Sequence, residues 1–189
     1  MLLDNGADPE TQDGAGGPAL HFAAYAGQEG VIRMLLDYGA EVDAKAAFHT
    51  LVQKSPKVEE LGASDKELLG EAAWLEDRDE RRCPGRTPLH EAAWAGKIGA
   101  VRLLVERGAD MRAQDDNGWT ALHRAAEKGF ADAAQLLLDL DSPTDLRDRS
   151  EMRMNAFELA VAHKREDVVR VLDSVLLGYE SVQVSVCVK

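Results

Sequence analysis

Gly85-Arg86-Thr87-Pro88-Leu89-His90-Glu91-Ala92-Ala93-Trp94 decides the fold, because its centre returns elsewhere in the chain. Leu89-His90-Glu91-Ala92-Ala93 reappears 33 residues later as Leu122-His123-Arg124-Ala125-Ala126, and upstream as Leu20-His21-Phe22-Ala23-Ala24. A second landmark keeps the same register: Asn5-Gly6-Ala7-Asp8, Tyr38-Gly39-Ala40-Glu41 and Arg107-Gly108-Ala109-Asp110, with Gly6 and Gly39 also 33 apart. A fixed period of this length identifies a solenoid of stacked units, each too small to bury its own apolar face.

Within each unit the pattern is helical. After each Ala-Ala pair comes a break at Gly27, Gly96 or Gly129, then apolar residues three and four apart, as in Val31, Met34 and Leu35 or Val101, Leu104 and Val105. Each unit therefore reads as a helix pair. Pro88 suits the first turn of a helix capped by Thr87, and the glycine after each second helix suits a left-handed terminus.

Gly85-Arg86-Thr87-Pro88-Leu89-His90-Glu91-Ala92-Ala93, with Gly108-Ala109-Asp110 downstream, closely resembles the ankyrin repeat. The resemblance is specific over 16–45 and 85–140. It implies an all-α fold, an ankyrin-repeat solenoid of stacked helix-turn-helix units with short hairpin loops. The expected organisation is the end of a truncated repeat at 1–13, repeats at 14–45, 85–113 and 114–147, a degenerate C-terminal capping repeat at 148–177, and a tail at 178–189.

Four departures mark this array. Met1-Leu2-Leu3 reads as the end of a second helix without its partner, which suggests an array extending further upstream, or a frayed end. His21 and His90 stand 69 apart, one period plus 36 residues, so 46–84 is a helical insert or a degenerate repeat. Insertion is the preferred reading, because repeat proteins carry extra residues in loops on one face. Ser64-Asp65-Lys66-Glu67 reads as a capping box there, and Ser55-Pro56 as a second helix start. In the last repeat Asn155-Ala156-Phe157-Glu158-Leu159-Ala160 fills the motif slot and Lys164 replaces the break glycine. The tail alternates Val182, Val184, Val186 and Val188, a strand-like period without an evident partner.

Composition narrows the functional classes. The 189 residues include 45% hydrophobic and 30% charged residues, enough apolar material for a core. A net charge of -12 and a pI near 4.8 disfavour nucleic acid and anionic membranes as partners. Cys83 and Cys187 lack the spacing of a disulfide framework or zinc site, which fits an intracellular, cytoplasmic or nuclear, location. No signal peptide or membrane-spanning stretch is legible.

Chemistry finds little support. His90-Glu91-Ala92-Ala93-Trp94 begins like a zinc-protease motif, but Trp94 stands where the second histidine ligand belongs. The recurring histidine reads better as a buried residue bonding across its own turn. Gly14-Ala15-Gly16-Gly17 has no Gly-Lys-Ser/Thr to hold phosphate and reads as a hairpin tip. Asp115-Asp116 and Glu76-Asp77 read as solvated acidic surface. The expectation is a non-enzyme with no catalytic residue, no metal, no cofactor and no small-molecule substrate.

The resemblance also implies where a partner would bind. In ankyrin proteins, contact residues lie beside the fixed motif, at the hairpin tips and on the first helices. Carried onto this chain, those slots are Tyr25, Tyr38, Arg86, Trp94, Arg107, Gln114, Asp116, Asn117, Trp119, Glu127 and Lys128. Four of the six Trp and Tyr residues fall in them, and such residues dominate interface hot spots. Trp94 and Trp119 are expected to form one aromatic patch, with Arg86 and Arg107 as local cationic contrast toward a protein of basic or mixed surface. The expected function is a protein-interaction module acting as a scaffold or regulator. The alternatives are a non-binding structural segment, or a fragment of a larger ankyrin-repeat signalling or defence protein, with an enzyme as the remote alternative.

Overall fold

The computed structural model describes residue 9 and residues 18–46, 85–140 and 155–175. Outside them lie the truncated first repeat apart from Pro9, the Gly14–Gly17 tip, the capping box at Ser64, and the valine tail. The described residues form helix pairs: α1 (Ala19–Ala26) with α2 (Glu29–Asp37), α3 (Pro88–Trp94) with α4 (Ile98–Glu106), α5 (Ala121–Lys128) with α6 (Ala131–Leu140), and α7 (Ala156–Ala162) with α8 (166–175).

First helices pack on first helices in the order α1, α3, α5, α7, and second helices α2, α4 and α6 pack in a parallel row behind them. The small side chains of the repeated motif permit this. Ala24, Ala92, Ala93, Ala125 and Ala126 are completely buried where neighbouring helices meet, and alanine combines closest approach with the highest helix propensity. Leu20, Ile32, Leu89, Leu104 and Leu122 fill the space between the two rows. Full burial of each such leucine or isoleucine contributes about 1.5–3 kcal/mol.

Helix starts follow the sequence. The Thr87 N–H donates to His90 Nδ1 at 3.1 Å, with the Thr87 hydroxyl 2.9 Å from the same nitrogen. Thr120 and His123 repeat the arrangement at 3.3 and 2.9 Å. In the last unit Asn155 and Glu158 take over both positions. The Glu158 N–H donates to Asn155 Oδ1 at 2.9 Å while Asn155 N–H donates to Glu158 Oε2 at 3.0 Å, a reciprocal capping box.

The break between paired helices needs positive φ. Gly96 adopts φ +65°, and a Cβ there would come within 2.5 Å of the Phe130 ring of the next repeat. Lys164 fills the equivalent place in the last unit at φ +56°, a conformation that a residue with Cβ adopts only at a cost. No described helix is long and apolar enough to cross a membrane.

Candidate partner-binding surface

The hairpin tips and first helices carry a strip of side chains that changes from repeat to repeat while the frame around it stays constant. Three slots, five and three residues apart, hold Arg86, Glu91 and Trp94 in one repeat, and Trp119, Arg124 and Glu127 in the next.

In the first of these repeats Arg86 is fully buried, and its Nη1 donates to Glu91 Oε1 at 3.3 Å. The guanidinium carbon also lies 5.3 Å from the centre of the Trp94 ring, within cation–π range. Trp94 joins three repeats: Tyr25 of the preceding unit lies 5.5 Å away ring to ring, and Lys128 Nζ of the following unit sits 4.6 Å over its face.

The next repeat solves the same problem with the charges exchanged. Arg124 Nε donates to Asp115 Oδ2 at 3.1 Å, Nη2 makes a further close contact with that oxygen, and Nη1 donates to Glu127 Oε2 at 3.3 Å. Its guanidinium covers Trp119 at 4.3 Å. The other Asp115 oxygen, Oδ1, accepts from the N–H groups of Asn117 at 2.9 Å and Trp119 at 3.0 Å, which shapes the tip.

Histidines tie the tips to the helices. The His90 Nδ1 accepts from Thr87 N–H, so Nε2 carries the proton and donates to the Trp119 carbonyl at 2.7 Å. Burial pushes the His90 pKa down to about 4, against the bond to Trp119 and the charge of Asp115, which raise it. The nearby Arg124 and Arg86 charges lower it further, so the ring is neutral at pH 7. Among the described residues, no three His, Cys, Asp or Glu side chains are grouped to hold a metal.

The structure divides the eleven expected contact residues. Tyr25, Arg86, Trp94, Gln114, Asp116, Asn117, Trp119, Glu127 and Lys128 lie along the tips and first helices, whereas Tyr38 and Arg107 follow the C-terminal ends of α2 and α4. There the Arg107 Nη1 donates to Asp37 Oδ1 at 2.8 Å, and Tyr38 is 45% exposed. Asp116 and Gln114 are exposed, and Tyr25, Asn117, Glu127 and Lys128 are half-buried.

One expectation is corrected. Trp94 and Trp119 are 3% and 7% exposed, so they do not form one exposed aromatic patch, and Arg86 is not a cation offered to solvent. Each ring is covered by a cation, Lys128 or Arg124, and Arg86 is held between a carboxylate and a ring. Sequence reasoning missed Glu91 and Arg124, and Asp115, expected as solvated acidic surface, is instead buried and paired with Arg124. The signal was available in the opposite charges that Arg86 and Glu91 place five residues apart, and in the exchange of Glu91 for Arg124 one period on.

Comparison with known proteins agrees with this architecture. A family model described as ankyrin repeats matches the chain in three copies, over residues 1–115, 58–148 and 107–176. The chain is 29% identical over 176 residues to the NF-kappa-B inhibitor cactus of Drosophila melanogaster, covering 92% of this chain and 34% of that protein. It is 43% identical over 61 residues to protein phosphatase 1 regulatory subunit 27 of Mus musculus, covering 32% of this chain and 40% of that protein. A transient receptor potential cation channel subfamily A member 1 homolog of Caenorhabditis elegans is 31% identical over 134 residues, 69% of this chain and 10% of that protein. The matched part is thus a tenth to two fifths of each relative's length.

Proposed function

We propose, from the premise that this chain belongs to the ankyrin-repeat family, that it is a non-catalytic module that binds another protein along its hairpin tips and first helices, in a scaffold or regulatory role. The observation that carries this reading is the contrast between frame and slots. Thr87, Leu89, His90, Ala92, Ala93 and Gly96 recur one period on as Thr120, Leu122, His123, Ala125, Ala126 and Gly129, whereas Arg86, Glu91 and Trp94 become Trp119, Arg124 and Glu127. A frame that repeats while its slots vary is how a solenoid presents a specific surface.

The partner-facing part of that strip comprises Tyr25, Gln114, Asp116, Asn117, Glu127 and Lys128, with Tyr38 and Arg107 as a second edge. The relatives support the reading, one being an inhibitor and another a regulatory subunit. The net charge of -12 favours a protein partner with a basic or mixed surface, in a cytoplasmic or nuclear setting, over nucleic acid or an anionic membrane.

The test is in-cell crosslinking of the intact chain beside a variant carrying Gln114→Ala, Asp116→Ala and Asn117→Ala. Loss of a discrete crosslinked partner, with helicity and melting temperature retained, is the expected result. An unchanged set of crosslinked proteins would move the binding surface elsewhere. The second reading, a structural array segment, draws on the burial of Trp94 and Trp119, which spends the largest side chains of the strip on internal contacts. It predicts no discrete partner for either chain.

A further inference from the structure

We propose a second docking surface on the edge where first helices hand over to second helices, at the opposite ends of the first helices from the tips. Lys97, Phe130 and Arg165 form it, and it takes an acidic polyproline-II segment of a partner, with one large apolar side chain between two carboxylates. The three residues share one structural position, directly after the break between paired helices. Each is seated on the break glycine of the preceding layer. A Cβ at Gly27 would lie 3.0 Å from Lys97 Cδ, one at Gly96 2.5 Å from Phe130 Cδ1, and one at Gly129 2.7 Å from Arg165 Cδ. Bare glycines with positive φ thus seat one side chain from each of three successive layers and set them in a line. In the last layer Lys164 fills the glycine's place, so the series of seats ends there.

The line reads cation, ring, cation. Phe130 is 39% exposed, and Lys97 and Arg165 are exposed as well. The Lys97 ammonium has no ion pair among the described residues, and Arg165 donates from Nε to the Glu127 carbonyl at 2.9 Å without an ion pair of its own. Most acidic groups nearby are engaged elsewhere: Glu127 accepts from Arg124, and Glu166 and Asp167 lie 3.9 and 3.5 Å from Arg170. Glu29, turned onto Gly99, and Asp132, in the first turn of α6, remain as opposing charges. The chain's net charge of -12 acts weakly here, because charges more than about 8 Å apart are largely screened at physiological salt. Spacing selects the ligand's backbone. Stacked helices repeat at about 8–10 Å. A polyproline-II segment rises about 3.1 Å per residue with three residues per turn, so every third side chain returns to one face about 9 Å further on. An acidic, an apolar and an acidic residue at intervals of three therefore match three layers, whereas a β-strand turns alternate side chains to opposite faces.

The probe is a fluorescein-labelled peptide, Glu-Pro-Pro-Leu-Pro-Pro-Glu, titrated with the intact chain and followed by anisotropy. Saturable binding that weakens as salt is raised from about 0.05 to about 0.5 M is expected. Lys97→Glu and Arg165→Glu should each weaken it about fivefold, and Asp132→Asn should tighten it about twofold. Phe130→Ala should weaken it about tenfold. The register-shifted peptide Glu-Pro-Leu-Pro-Pro-Pro-Glu should lose as much. Circular dichroism checks that each variant keeps its helices, and the exposed Lys97→Glu carries the test if Phe130→Ala lowers the helical signal. The variant carrying Gln114→Ala, Asp116→Ala and Asn117→Ala should bind the peptide as the parent does, so this surface and the tip surface stand or fall separately. No saturable binding, or binding that Lys97→Glu leaves unchanged, would overturn the proposal. So would oligothymidylate binding in the peptide's place with the same dependence on Lys97, which would assign this edge to a nucleic-acid strand.

Discussion

His21 Nε2 donates to the Arg86 carbonyl oxygen at 2.9 Å although 65 residues separate them, whereas the equivalent bond from His90 to Trp119 spans 29. The same staple closes over a long and a short connection, so the connection's length is not what holds the layers together.

Replacing 47–84 with Asp-Asn, a copy of the Asp116-Asn117 tip, should therefore leave a folded, cooperatively melting chain. Each doubling of a loop costs about 0.6 kcal/mol of closure free energy, so the shorter tip should favour folding by on the order of 2 kcal/mol. Urea denaturation followed by circular dichroism measures this. A chain that loses its helical signal on excision would show that the segment supplies part of the core.

The pH dependence of stability has a definite sign at His90. Its folded pKa is about 4, below the unfolded value of 6.5, because burial penalises the charged ring. Between those values the unfolded chain binds a proton that the folded chain refuses. The stabilising contribution is thus complete above pH 6.5 and is lost as the pH falls toward 4, by about 3 kcal/mol in all. Denaturation midpoints at pH 7.5, 6.0 and 5.0 should fall in that order. In His90→Gln the drop should shrink, although the variant begins from a lower stability because it loses the ring's bond to Trp119.

The two occupants of the break position call for opposite substitutions. Lys164→Gly relieves a Cβ held at φ +56° and should stabilise the last repeat by about 1 kcal/mol. Gly96→Ala adds a Cβ at φ +65° that meets the Phe130 ring, and should destabilise by about 2 kcal/mol or more. Thermal melts of the two variants beside the parent give the test, and a shift of the same sign in both would remove the backbone argument.

These positions also show what could be read in the sequence. Thr87, Pro88, Gly96 and the Lys164 replacement were legible because caps and left-handed turns are set by a few adjacent residues. The 36 extra residues were countable, but the bond that joins Ala46 to Arg86 across them is encoded by no local pattern. The fate of Trp94 was hidden for a related reason. Its face is covered by Lys128 from the following repeat, and a solenoid sequence shows which positions are variable without showing which variable side chains meet.

Burial changes what tryptophan substitution should do. Trp94→Ala and Trp119→Ala each remove a large ring from a site less than a tenth exposed, and each should cost about 3–5 kcal/mol. Melting temperature and helical signal should fall for both, while Asp116→Ala leaves them unchanged. A Trp94→Ala chain that melts like the parent would return that ring to the partner-facing surface.

The last prediction separates the two members of a buried ion pair. Asp115 and Arg124 are both almost inaccessible, but their remaining partners differ. Removing Asp115 leaves Arg124 with Glu127, and also strips the acceptor from the N–H groups of Asn117 and Trp119. Asp115→Ala should therefore cost about 3–5 kcal/mol, in the range for breaking a buried pair from one side. In Arg124→Met the carboxylate keeps both backbone donors and the methionine still covers Trp119, so the loss should be smaller. Asp115→Asn keeps an acceptor for the tip and should fall between them. Urea midpoints for the three variants test the order. If Arg124→Met proves the most damaging, the cation and its contact with Trp119 hold this tip, and the turn bonds of Asp115 are secondary.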